Sequence, residues 1–159
     1  MILYHGSNVI VKEPRIIESN RFLDFGIGFY TTTNKDQAIN FAKKVAQRKG
    51  EGKPIVNIYE LDETITTRLD IKQFDGPNEE WLDFVSDNRN GTYSGKEYDA
   101  IIGAVADDDV YRTLQVYASG VLTKEQALEA LKIKELFNQY VFKTESSLTA
   151  IRFIKSEEV

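Results

Sequence analysis

His5 is the single histidine of the chain, and it closes a short apolar run, Met1-Ile2-Leu3-Tyr4, just ahead of Gly6 and Ser7. Its neutral ring offers one N–H donor and one acceptor. A second segment, Phe25-Gly26-Ile27-Gly28-Phe29-Tyr30, pairs two glycines with a flat aromatic face. A third, Asn138-Gln139-Tyr140-Val141-Phe142, carries a neutral amide among strand formers. Imidazole, aromatic face and amide are groups that recognise and orient a ligand. There is no Cys, which excludes disulfides, thiolate nucleophiles, thiolate zinc sites and iron–sulfur clusters. One His excludes a multi-histidine metal site; a carboxylate magnesium or calcium site stays open, but no EF-hand spacing is present and no metal is expected. A serine nucleophile elbow and a phosphate loop are also missing.

Each segment taken alone is ordinary. A lone His at a strand end is more often a packed or surface histidine. A glycine pair before an aromatic is usually a turn entering a strand, and without a third glycine and a following helix it is no dinucleotide fingerprint. A Gln in a strand is usually an edge residue.

The elements that must position these residues follow from pattern. Residues 1–5 read as a short buried strand and residues 6–27 mainly as loop, with Phe29 to Thr33 strand-like. Asn34 and Gln37 open a helix as a capping-box pair. Ala38, Phe41, Ala42, Val45 and Ala46 give it one apolar stripe, and Gly50 stops it. Pro54 to Leu61 reads as a strand. Pro77 suits the first turn of a second helix in which Trp81, Phe84 and Val85 share a face. Tyr98 to Val105 is an apolar strand. Asp107, Asp108 and Asp109 suit a helix start, and Thr123 with Gln126 opens another helix. Gln139 to Lys143 and Ile151 to Ile154 read as strands. Short strands broken by short helices without regular alternation predict α+β. The length of 159 residues fits one domain, residues 1–159. A net charge of -5 argues against broad nucleic-acid binding. No segment reaches membrane-spanning length. The first strand leads straight into His5 without a signal-peptide pattern, so the fold is expected to start at residue 1 and the location to be cytoplasmic.

Order and spacing of the three segments together resemble the ADP-ribosyltransferase superfamily, in its diphtheria-toxin and poly(ADP-ribose) polymerase branch. That branch is marked by His-Gly on the first strand, a Gly-x-Gly-x-Tyr segment, and a Glu opening a late strand. His5-Gly6-Ser7, Gly26 to Tyr30 and Asn138 to Phe142 match these, with Gln139 in place of the Glu. Residues 62–125 have no match to the polymerases. The whole chain is also similar to a bacterial family of the superfamily, some members of which are toxins paired with small antitoxins.

The resemblance implies a split β-sheet core, NAD as substrate, and transfer through a ribosyl oxocarbenium-like transition state. It implies that His5, with Ser7 beside it, meets the adenine-side ribose. Gly6, lacking a Cβ, suits close backbone approach to the nicotinamide carboxamide. Tyr30 offers a stacking face, with Gly28 before it, and Phe41 is spaced to give a second aromatic wall. Packing in the core accounts for Phe41 equally well. Gln139 keeps a hydrogen bond to the ribose but brings no charge, which argues against chain elongation and for single transfer, slow hydrolysis or binding alone.

Arg15 or Arg21 is a candidate to reach the NAD diphosphate as a charge-assisted donor, although a solvated loop arginine is the simpler reading of both. Asp107, Asp108 and Asp109 would supply a missing carboxylate or face an acceptor, although a helix start explains them more simply. Glu60 is a candidate to point inward. Asn88 and Arg89, ending a helix, read as structural. Three functions stand: a mono-ADP-ribosyltransferase using NAD, for which the resemblance leaves open a toxin acting on an intracellular macromolecule with a small antitoxin partner; a non-catalytic NAD or ADP-ribose binding module; and an interaction protein that keeps the motifs as relics of the fold.

Overall fold

The computed structural model describes residues 1–18, 23–106, 108–132 and 137–159. Asp107 and Arg21 lie outside the described residues. The strands are β1 (Ile2–Ser7), β2 (Phe29–Thr32), β3 (Ile55–Leu61), β4 (Ile71–Gln73), β5 (Ala100–Ala104), β6 (Asn138–Phe142) and β7 (Ile151–Glu158). The helices are α1 (Lys35–Lys49), α2 (Glu63–Thr66), α3 (Glu79–Asn90), α4 (Asp108–Ala118), α5 (Lys124–Lys132) and α6 (Glu145–Leu148). The strands form one sheet in the order β4-β5-β6-β2-β1-β3-β7. Among the described strands only β4 and β5 pair in parallel, joined across α3. Strands and helices are thus mixed without regular alternation, an α+β arrangement.

Helix α1 starts as its caps predict. Asn34 Oδ1 accepts from the Gln37 N–H at 2.9 Å, and Gly50 ends the helix at φ 66° with its N–H on the Ala46 carbonyl. The return arm of the capping box differs from expectation. Gln37 Oε1 accepts the Thr32 hydroxyl at 2.6 Å, and that hydroxyl accepts the Asn34 N–H at 3.1 Å, so β2 and α1 are tied at their junction. Pro77 precedes the N-cap Asn78 and lies outside α3, two residues before the first helical position Glu79 and so earlier than expected from its preference for the first turn. The Thr123–Gln126 box forms in both directions, at 3.0 and 3.2 Å.

Side chains alternate across a strand, so pairing assigns the faces. Thr32 lies opposite Tyr4 and Gln139, and Tyr30 opposite Val141. Tyr4, Gly6, Tyr30, Thr32, Gln139 and Val141 therefore share one face. Two helical blocks cover it. Ala38 and Ala42 of α1 pack on Val56 and Ile58 of β3. Trp81, Leu82 and Val85 of α3, with Val110, Leu114, Ala127 and Leu131, pack on Phe25, Ile101 and Val141. The other face buries Leu3, Phe29, Tyr59, Phe142 and Ile151, with Val11, Ile16 and Leu148 over them.

Candidate functional site

The three sequence segments occupy β1, the approach to β2, and β6, with β2 between the other two strands. The join between β1 and β2 is narrow: Tyr4 with Thr32 is its one register pair. Beyond Tyr4 the His5 ring takes over from the ladder, with Nδ1 2.7 Å from the Tyr30 carbonyl oxygen. A carbonyl only accepts, so Nδ1 carries the proton and Nε2 is left as the acceptor. No described group bonds Nε2. The ring lies 4.3 Å, centroid to centroid, from Phe29 and is half-buried. Burial lowers its pKa to about 4, against the opposing effect of the Tyr30 carbonyl, so the ring is neutral at pH 7. His5 and Ser7 thus stand on the face opposite Tyr30 and Gln139. His5 is joined to Tyr30 through the backbone, while the two side chains point apart.

Gly6 faces α1. A Cβ there would lie 2.3 Å from the Ala38 carbonyl oxygen and 2.8 Å from the Ala42 nitrogen. Close helix packing therefore accounts for this glycine by itself. One turn of α1 away, Phe41 is 49% exposed, which removes the reading that it is a core residue.

The glycine segment is a clamped turn. Gly26 has φ 77°, a conformation that favours glycine. A Cβ on Gly28 would lie 2.6 Å from Val141 Cγ1, so the turn sits hard against β6. Lys143 Nζ donates to the carbonyls of Phe25 and Ile27 at 2.5 and 2.9 Å, and burial lowers its pKa. The Tyr30 hydroxyl donates to the Gly26 carbonyl at 2.5 Å and accepts the Phe25 N–H at 3.1 Å. Burial and then Asp24 push that hydroxyl's pKa upward. It is committed to the turn and is no acid or base at neutral pH, which leaves the ring as the part of Tyr30 that a ligand can use.

Gln139 is 5% exposed on β6. Its Nε2 donates to Asp24 Oδ2 at 3.1 Å and to the Ala104 carbonyl at 3.3 Å. Both partners are acceptors, which fixes the amide with nitrogen inward. With Nε2 bound twice, Oε1 is the end of the amide that no described group answers.

Asp24 had no distinguishing mark in the sequence beyond a carboxylate between Leu23 and Phe25. It is 5% exposed. Its Oδ1 accepts Arg89 Nε at 2.6 Å and pairs with the second guanidinium nitrogen. Its Oδ2 accepts the Ala106 N–H at 3.0 Å as well as Gln139. Arg89 also lies over the Tyr111 ring, 4.3 Å from its centroid. Arg89 is thus held between Asp24 and Tyr111, and Asn88 holds the Phe84 carbonyl within α3.

The remaining candidates stand apart. Arg15 is exposed and lines a shallow depression of about 500 Å3 with Ile10, Val11, Lys12 and Glu13. No described bond joins it to His5, Tyr30 or Gln139. Glu60 points outward and pairs with Arg152, which corrects the inward reading: it shares a face with the buried Val56 and Ile58 but is the one exposed residue of β3, near the strand's end. Asp109 is exposed in the first turn of α4, where Asp108 also falls. Among the described residues no group of His, Asp or Glu is arranged to hold a metal ion, and no helix is long and apolar enough to cross a membrane.

No curated protein and no solved structure matches the chain. A family match spans residues 1–153, from β1 into β7 and so across all three segments, and the chain accordingly belongs to the family described as "Protein of unknown function (DUF3990)".

Proposed function

We propose that the chain binds NAD and acts as a mono-ADP-ribosyltransferase with an ADP-ribosyltransferase-like core. The observation that supports this reading is the gathering of the three segments on neighbouring strands β1, β2 and β6, around a sheet that opens beyond Tyr4. In this reading the nicotinamide lies on the strip between α1 and the α3–α5 block. Tyr30 supplies its ring and Phe41 the second wall. The open ladder leaves the Gly6 backbone within reach of the carboxamide. Gln139 Oε1 accepts a hydroxyl of the nicotinamide ribose, and His5 Nε2, on the other face, accepts one from the adenine-side ribose, with the dinucleotide crossing the sheet where it opens beyond Tyr4. These contacts orient the substrate for cleavage of the nicotinamide–ribose bond. The acceptor is an intracellular macromolecule, and a small antitoxin is the proposed partner.

A second reading, a non-catalytic NAD or ADP-ribose binding module, draws on one specific observation. The Tyr30 hydroxyl is committed to the turn, and the carboxylate nearest Gln139 is held by Arg89. Among the described residues the strip thus shows no carboxylate left to stabilise an oxocarbenium ion.

Titration calorimetry with NAD, followed by nicotinamide release in the presence of bacterial lysate, separates these. Saturable binding with lysate-dependent release and label transfer supports the transferase. Saturable binding without release selects the module. A folded protein that shows no binding at millimolar NAD abandons both.

A further inference from the structure

Asp24 divides its two oxygens between two tasks. Oδ1 faces the Arg89 guanidinium, and Oδ2 faces Gln139 Nε2 and the Ala106 N–H. A buried carboxylate of this kind needs both its charge and its lone pairs answered. Arg89 answers the charge, which leaves Oδ2 as a fixed acceptor. With the Ala104 carbonyl it takes both Nε2 protons. A primary amide whose nitrogen is bound twice has one orientation left. From this we propose that Asp24 is a positioning residue: it holds Gln139 so that a carbonyl oxygen, never an amide N–H, meets the ligand. The position then selects a hydrogen-bond donor, such as a sugar hydroxyl, and rejects a phosphate or carboxylate oxygen. The choice of a ribose hydroxyl as that donor rests on the NAD reading above; the orientation itself does not.

The pair is open to test by two measurements that fail separately. The first is NMR of the Gln139 side-chain amide, assigned by its loss in Gln139→Ala. Slow exchange with solvent, and a shift of both protons in Asp24→Asn, are expected. Fast exchange in the parent, or signals unmoved by Asp24→Asn, overturns the orientation, and the parent measurement needs no variant to fold. The second is a double-mutant cycle read by NAD affinity. Asp24→Asn should weaken NAD by about 3–10-fold in the parent, the range of one ordinary hydrogen bond, and by less than about 2-fold in Gln139→Ala. Equal weakening in both backgrounds makes Asp24 a structural residue only and overturns the positioning role. Absence of NAD binding by the folded parent overturns the ribose assignment while the NMR result still decides the orientation.

Discussion

Asp24 and Gln139 are 115 residues apart in sequence, and Asp24 Oδ2 accepts from Gln139 Nε2 at 3.1 Å in a buried setting. That contact decides what a carboxylate at position 139 would meet. Gln139→Glu is nearly isosteric, and from side-chain shape alone it should be silent for the fold and place an anion beside a developing cation. Instead it sets two carboxylates against each other where an amide had donated. One of them must take a proton or separate. The introduced group's pKa is raised in the folded state, so the penalty is present above that raised value and vanishes below the unfolded value. A stability loss of roughly 1–3 kcal/mol at pH 8, closing as pH falls toward 4, is expected. Urea unfolding of both proteins across that range checks it. A Glu variant as stable as the parent at pH 8 would contradict the contact.

Tyr30→Phe also changes its meaning. Stacking survives the substitution, but the hydroxyl that joins the Phe25 N–H to the Gly26 carbonyl is lost. Two backbone groups of the glycine turn lose their partner. We expect a loss of about 1–3 kcal/mol in unfolding free energy. NAD affinity should stay within about 3-fold if the ring is the part that meets nicotinamide. Tyr30→Ala should lose both. A Phe variant with parental stability would show that the turn does not depend on the hydroxyl.

His5 gives a pH signature that one histidine makes easy to read. Its pKa lies near 4 in the folded protein against 6.5 in the unfolded chain, so the unfolded state binds the proton first. The contribution of neutral His5 is intact above pH 6.5 and is lost as pH falls from there toward 4. Its size is on the order of 1–3 kcal/mol, trimmed by the ring's partial exposure. His5→Asn should flatten the difference in stability between pH 7 and 4.5 relative to the parent. The single imidazole NMR signal should show no titration near pH 6.5; a midpoint there would place the ring in solvent and undo the bond to Tyr30.

The parts of this fold that could be read ahead are those fixed by local chemistry. Asn34, Gly50, Thr123 and Gln126 act through neighbours three or four residues away, and they bound their helices as expected. The site was legible only as three segments. Strand alternation alone cannot say that His5 falls on the face opposite Tyr30, because the answer depends on the register of β1 against β2. Asp24 was invisible for the same reason, since each of its partners is at least 65 residues away. Gly6 shows the reverse case. Its lack of a Cβ was read as room for a ligand, yet the Ala38 carbonyl already requires it. The short β4 and α2 left no periodic signal, having three and four residues.

Phe41 separates ligand binding from folding more cleanly than any other wall residue. It belongs by spacing to the apolar stripe of α1, and its neighbours Ala38, Ala42 and Val45 are buried. It is 49% exposed itself, so truncation removes little buried surface. Phe41→Ala should change stability by no more than about 0.5 kcal/mol, and Ala's helix propensity offsets part of that. If the ring forms the second wall for nicotinamide, NAD affinity should fall by about 0.5–1.5 kcal/mol, roughly 2- to 12-fold. Phe41→Tyr, which keeps a flat face on the same helix, should restore most of the affinity. The two substitutions need only a thermal melt and an NAD titration. Unchanged affinity in a folded Phe41→Ala protein would remove Phe41 from the site and leave it as a lone surface aromatic. A large drop in melting temperature would instead mean that the ring packs against the body of the protein in solution, and the exposed geometry would be wrong.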